Sequence, residues 1–189
     1  MTRKSRPAAP GSTTDVEAMI RVDHAGEYGA VRIYEGQLAV LRRRPGSARA
    51  VETIEHMAAQ EQEHLKAFDG LVNERRVRPT ALEPVWRVAG FALGAATAAL
   101  GEKAAYACTA AVEEVIDEHY ASQIAALEQM DGQKADPVLK DRIAAFRADE
   151  AAHRDTAIAE GAEQAPGYRL LSQTIKAGCR LAIKLSERI

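Results

Sequence analysis

From Thr14 to the end of the chain, apolar residues recur at steps of three and four, the period of an amphipathic helix rather than the alternation of a strand. Pro and Gly gather at a few points and divide this pattern. Arg44-Pro45-Gly46-Ser47 closes a first helix running from about Thr14 to Arg43, with Ser12, Thr13, Thr14 and Asp15 as N-cap candidates. A second helix follows to about Arg75 and stops before Arg78-Pro79-Thr80. A third covers about Pro84 to Gly101, and a fourth continues to Gln129 before the break at Asp131-Gly132. A fifth spans about Pro137 to Glu160, and Pro166-Gly167 precedes a last helix ending near Ser186. Six helices without a strand predict an all-α domain, a four-helix bundle with two additional helices. Residues 1–13 (MTRKSRPAAPGST) lack the period and read as a disordered basic leader, leaving 14–189 as one domain.

Charged residues interrupt the apolar stripes at a few positions. On the second helix the stripe runs Ile54, Met57, Glu61, His64, Phe68, Leu71, and on the fifth Leu139, Ile143, Phe146, Glu150, His153, Ala157. Each therefore carries Glu-x-x-His, whose two ends share one helix face. Glu27 stands on the first helix's stripe with Ile20, His24, Val31, Tyr34, Leu38 and Leu41, and Glu113 on the fourth with Tyr106, Ile116, Tyr120 and Leu127. A lone buried carboxylate is costly, and no Lys or Arg shares these stripes to neutralise one.

Spacing supplies an independent test. Glu27 and Glu61 are equidistant from the turn at Arg44, and Glu113 and Glu150 from the break at Asp131-Gly132. In two antiparallel hairpins packed face to face, four Glu and two His meet at one level. This arrangement resembles that of ferritin-like di-iron and di-manganese carboxylate proteins, in which two helices give one Glu each and two give Glu-x-x-His. Four carboxylates and two imidazoles suit iron, whereas structural zinc prefers four ligands and often thiolate.

Composition narrows the setting. The chain has 189 residues, enough for one sizeable core, and 25 basic against 27 acidic side chains give a net charge of −2. That balance predicts no nucleic-acid partner. With 47% hydrophobic and 28% charged residues, disorder of the whole chain is excluded. Two cysteines, Cys108 and Cys179, are too few for a disulfide scaffold or a Cys-rich zinc module and suit a reducing compartment. No apolar run is long enough for a membrane span, and no secretory pattern is visible.

The segments RVDHAGEYGAVRIYEGQLAVL, EQEHLKAF, RVRPTALEPVWRVAGFALGAATAALGEKAAYACTAAVEEVIDEHYASQI, FRADEAAHRD and AGCRLAIKLSERI resemble the demethoxyubiquinone hydroxylases of ubiquinone biosynthesis. The likeness spans about Arg21 to Ile189, with divergence around Arg42 to Glu52 and near Gln133. It implies that Glu27, Glu61, His64, Glu113, Glu150 and His153 bind two iron (Fe) ions per chain, with Glu61 and Glu150 bridging. It also implies a polyprenyl demethoxy-quinol substrate and O2 as co-substrate. Glu113 and Glu114 are neighbours, and both the resemblance and the hairpin spacing favour Glu113. His119 and Tyr120 lie two turns past Glu113, either as a proton or electron relay or quinol contact, or as hydrogen-bonding groups that orient ligands. His24 reads as an orienting residue and His56 as surface.

A polyprenyl quinol resides in the bilayer. Val88 to Gly101 carries no charge, and the last helix sets Leu170, Leu171, Thr174, Gly178, Leu181 and Leu185 against Arg169, Lys176, Arg180, Lys184 and Arg188. Together they predict interfacial attachment, with docking on the bundle as the competing reading of the last helix. The expected location is peripheral, on the cytoplasmic face of the inner (cell) membrane. An iron store would need cage-forming surfaces, and a rubrerythrin-type peroxidase a Cys-x-x-Cys module that this sequence lacks. A non-enzymatic quinone- or lipid-binding bundle is the remaining alternative. No G-x-G-x-x-G loop identifies an electron donor, so a reductase, a reduced nicotinamide and the quinol itself stay open, as do partners in a biosynthetic protein complex.

Overall fold

A computed structural model describes residues 13–130, 132 and 135–189. The leader expected over 1–13 lies outside these except for Thr13, which opens the first helix. The helices are α1 (Thr13–Leu41), α2 (Ala48–Arg75), α3 (Glu83–Leu100), α4 (Glu102–Glu128), α5 (Pro137–Ala159) and α6 (Tyr168–Ser186). No strand occurs among the described residues. A 3-10 turn at Ala162–Gln164 leads into α6, and its three residues are too few to establish a period in the sequence.

The helix ends have local causes. Helix α1 stops at Leu41, two residues before the sequence expectation, because Arg42, Arg43 and Arg44 continue as turns before Gly46 takes a φ of 88°. Helix α2 ends in a Schellman motif: Val77 N–H donates to the Val72 carbonyl at 3.0 Å and Arg76 N–H to that of Asn73 at 3.4 Å. Asp136 caps α5 by accepting from the Leu139 N–H at 3.0 Å, and Pro137 fills the first helical position.

Hairpins α1–α2 and α4–α5 form the four-helix unit, α3 lies along α1, and α6 packs on α4. Helices α1 and α3 approach at backbone distance. A Cβ on Gly94 would fall inside contact with the Ile33 carbonyl, and one on Gly36 with that of Phe91.

Two apolar layers of the core flank the carboxylates, and a third cluster of Ile33, Cys108, Ala111, Val112 and Ile175 packs α1 and α4 against α6. One layer holds Tyr34, Leu38, Ile54, Met57, Ala107 and Ala157. The other holds Ile20, Phe68, Leu71, Tyr120, Leu139 and Ile143. On every helix of the unit, the Glu or Glu-x-x-His lies between the residues given to these layers. The polar level is therefore closed at both ends by hydrocarbon.

Candidate metal centre

The six sequence-selected ligands converge. Glu27, Glu61, His64, Glu113, Glu150 and His153 are each at most 3% exposed. They form two overlapping sets, Glu27–Glu61–His64–Glu150 and Glu61–Glu113–Glu150–His153, whose ligand atoms lie within 4.8 Å of one another. Glu61 and Glu150 belong to both.

Both imidazoles turn Nδ1 inward. His64 Nδ1 lies 3.1 Å from Glu150 and 3.5 Å from Glu27, and His153 Nδ1 lies 3.0 Å from Glu61 and 3.4 Å from Glu150. Their outer nitrogens are held, His64 Nε2 by Asp149 and His153 Nε2 by Gln60, each at 3.1 Å. Phe146 stacks on His64 with ring centres 4.0 Å apart, fixing the plane of the ring.

The oxygens sort themselves. Tyr34 Oη donates to Glu113 Oε1 at 2.8 Å, and Tyr120 Oη donates to Glu27 Oε1. The second oxygens of Glu27 and Glu113, both oxygens of Glu61 and of Glu150, and both Nδ1 atoms have no hydrogen-bond partner. Eight buried ligand atoms thus face one another unsatisfied, which cations between them would remedy.

Electrostatics agrees. Burial, reinforced by Glu150, Glu113 and Glu27, holds the Glu61 carboxyl well above its ordinary 4.5. Burial and the Glu150 charge do the same to Glu113, and burial raises Glu27. Burial also opposes ionisation of Glu150, but the close approach of the His153 and His64 imidazoles and of the Glu113 carboxyl outweighs it and lowers its pKa to about 2. Burial opposes charging His64, yet the Glu150 and Glu27 carboxylates raise its imidazole from 6.5 to about 10. Protons therefore occupy this cluster where no dication does. Four carboxylates carry the charge that two divalent ions neutralise. The residues fit a metal.

The neighbouring residues follow the expectation for Glu113 and His56 and separate Tyr120 from His119 and His24. Glu113 enters the cluster, while Glu114 turns away and pairs with Lys176 at 2.6 Å. Of the two relay candidates, Tyr120 reaches a cluster carboxylate. His119 instead meets Asp23 at 3.3 Å and Gln123 at 2.9 Å, a turn away. His24 binds Asp69 at 2.9 Å, and His56 is exposed. Sequence reasoning missed Asp149, Gln60, Asp23 and the role of Tyr34. For Tyr34 a signal existed: it follows Glu27 at the interval by which Tyr120 follows Glu113.

Beside the cluster an apolar groove of about 410 Å³ lies among α1, α3, α4 and α6, lined by Gly26, Ala30, Leu93, Val112, Ile116 and Cys179 among others. Helix α6 both docks and exposes. Ser172 and Ile175 are buried, whereas Leu170 is 74% and Leu181 57% exposed. Val88 and Leu100 of α3 also face outward. No helix among the described residues is long and apolar enough to cross a membrane.

Fold and site together define a ferritin-like helical bundle with a buried carboxylate–histidine cluster suited to divalent metal. The sequence profile of "Ubiquinone biosynthesis protein COQ7" matches residues 14–186, and the chain belongs to that family. It is 54% identical over 183 residues to a 3-demethoxyubiquinol 3-hydroxylase of Rhodospirillum rubrum, covering 97% of this chain and 82% of the relative. It is 53% identical over 173 residues to a rat protein named NADPH-dependent 3-demethoxyubiquinone 3-hydroxylase, mitochondrial, covering 92% and 77%. A yeast 5-demethoxyubiquinone hydroxylase, mitochondrial, is 42% identical over 184 residues, covering 92% and 78%.

Proposed function

We propose that this chain hydroxylates the ring of a demethoxyubiquinol in ubiquinone biosynthesis, using O2 and two iron ions held by Glu27, Glu61, His64, Glu113, Glu150 and His153. The observation that carries the metal reading is the set of eight inward ligand atoms without partners. Their distribution supports bridging by Glu61 and Glu150, the two carboxylates with both oxygens free, and terminal ligation by Glu27 and Glu113, each with one oxygen on a tyrosine. When bound, iron supplies the activation of O2 that side chains lack.

The chain's own residues do the rest. Burial first, and then the neighbouring carboxylates, raise the Tyr34 and Tyr120 phenols well above 10, so both remain hydrogen-bond donors and fix the terminal carboxylates. Asp149 and Gln60 hold the outer imidazole nitrogens and leave Nδ1 free to ligate. The two apolar layers exclude bulk water. Helix α4 places Glu113 in the centre and Val112 and Ile116 on the groove wall, so a quinol ring in the groove lies one helix wall from the ligands. His119 lies against Asp23 and Gln123, one turn from the cluster carboxylates.

Peripheral attachment follows from the substrate. The groove lies between α3 and α6, and exposed Val88, Leu100, Leu170 and Leu181 with Arg87, Lys184 and Arg188 offer an apolar and cationic face to the cytoplasmic side of the inner membrane. A reduced nicotinamide is the donor this reading carries over from the name of the rat relative.

The test is Glu150→Ala with iron quantification and product analysis on a short-chain demethoxyquinone. Wild-type protein is expected to hold about two irons per chain and form the hydroxylated ring, and the variant to lose both. Iron near two per chain in the variant, or equal turnover by metal-free and loaded wild type, would reject the reading and leave a quinone-binding bundle.

A further inference from the structure

The hairpins α1–α2 and α4–α5 correspond at the ligand positions and at the tyrosines that hold them. One sequence offset relates Glu27 to Glu113, Tyr34 to Tyr120 and Gln37 to Gln123, and another relates Glu61 to Glu150 and His64 to His153. The bonds cross accordingly: Tyr34 serves Glu113 and Tyr120 serves Glu27. The offset that pairs the histidines also pairs Gln60 with Asp149. Here the correspondence fails chemically. His64 Nε2 meets an aspartate, and His153 Nε2 meets a neutral amide, at the same 3.1 Å.

We infer that the two metal positions are unequal and that Asp149 and Gln60, as positioning residues, set the difference: the His64 position binds its ion more tightly than the His153 position. The inference rests on the two-iron reading above. The geometry narrows the cause, because the positions share Glu61 and Glu150, each adds one tyrosine-held Glu and one Nδ1, and the Phe146 ring, stacked on His64 alone, carries no charge. Both outer partners accept the Nε2 proton and leave the Nδ1 lone pair inward. Only Asp149 carries a charge. An anion accepting from Nε2 pushes electron density onto Nδ1 and strengthens it as a ligand, and it adds negative potential beside that ion. Asp149 is partly exposed, its side chain 42% accessible, so solvent screens its charge without breaking the hydrogen bond.

The experiment is anaerobic titration of the metal-free full chain with Co(II), followed by calorimetry and by the visible absorption of the bound ion. Wild type is expected to fill two steps about tenfold or more apart. In Asp149→Asn the tighter step weakens about 10- to 100-fold while the other stays, so the steps merge. Asp149→Glu restores the separation. Gln60→Glu acts oppositely, tightening the weaker step, and so keeps the test decisive if Asp149→Asn folds poorly. Two ions bound with equal affinity in wild type, or an Asp149→Asn variant in which both steps or neither change, would overturn the inference alone. Uptake of one ion or none overturns the two-iron reading and this inference with it.

Discussion

Helices α1 and α4 each have two faces, and the protein's chemistry depends on how these differ. Toward the centre they present Glu27 and Glu113, crowded against two more carboxylates. Toward the groove they present Gly26, Ala30, Val112 and Ile116. The centre is made by adding groups that burial penalises, and the groove by omitting side chains. A buried charge demands a partner and so declares itself, whereas a small residue can mean either close contact or open space.

The largest effect should come from breaking the centre. Glu61→Gln keeps the shape and removes one shared carboxylate, so turnover should fall more than about 100-fold, given that outer-shell partners alone are worth 10- to 100-fold. The metal-free variant should nevertheless be more stable than metal-free wild type. The Glu61 carboxyl is raised by burial and by Glu150, Glu113 and Glu27. A group raised in the folded state is best accommodated below its unfolded pKa, and its contribution is lost as pH rises through the folded value. The variant's advantage should therefore be absent near pH 4 and grow toward pH 8, reaching about 1–4 kcal/mol, as for other replaced buried charges. Denaturant melts of both metal-free proteins across that range measure it. A constant difference would mean that the carboxylate is not under strain.

The same contrast explains what was legible in the sequence. All four Glu and both His could be read because each interrupts an apolar stripe, and the hairpin spacing set their level. The choice between Glu113 and Glu114 was harder, since neighbouring positions border one broad stripe and only packing turns Glu114 to Lys176. Tyr34 passed as core because an aromatic on a stripe needs no explanation. Asp149 and Gln60 sit at stripe edges, where polar residues normally meet water. The groove was hidden. Within α1 and α3, Gly36 and Gly94 touch facing backbone while Gly26 and Gly29 have nothing within 4 Å of a would-be Cβ. Nothing in the letter G separates the two. For α6, docking and exposure proved to be different faces of one helix, with Ile175 inward and Leu170 outward.

A smaller effect, confined to the groove side, should follow from closing the α1–α3 seam. In Gly94→Ala the new methyl meets the Ile33 carbonyl, and backbone has little freedom to yield. Overpacking of this kind should cost about 3 kcal/mol, lowering Tm by roughly 10 °C. Metal content below the transition should stay near wild type, because the ligands come from the interior faces of α1, α2, α4 and α5. Loss of metal in proportion to loss of stability would show that seam and centre are one cooperative unit.

The least disruptive change tests the empty side most directly. Gly26 is helical, lines the groove, and a Cβ built there meets nothing within 4 Å. Gly26→Leu should therefore start its side chain in open space on the groove wall and gain about 0.8–1 kcal/mol of helix propensity, or roughly 2–4 °C in Tm. If the quinol ring or its tail occupies the groove as proposed, the leucine takes that volume, and KM for a short-chain demethoxyquinol should rise about tenfold with metal content unchanged. A protein made more stable and less able to bind its substrate separates vacancy from packing at one position. If KM stays at the wild-type value while Tm rises, the groove beside Gly26 is not where the ring enters, and the quinol must reach the ligands past a different wall of the bundle.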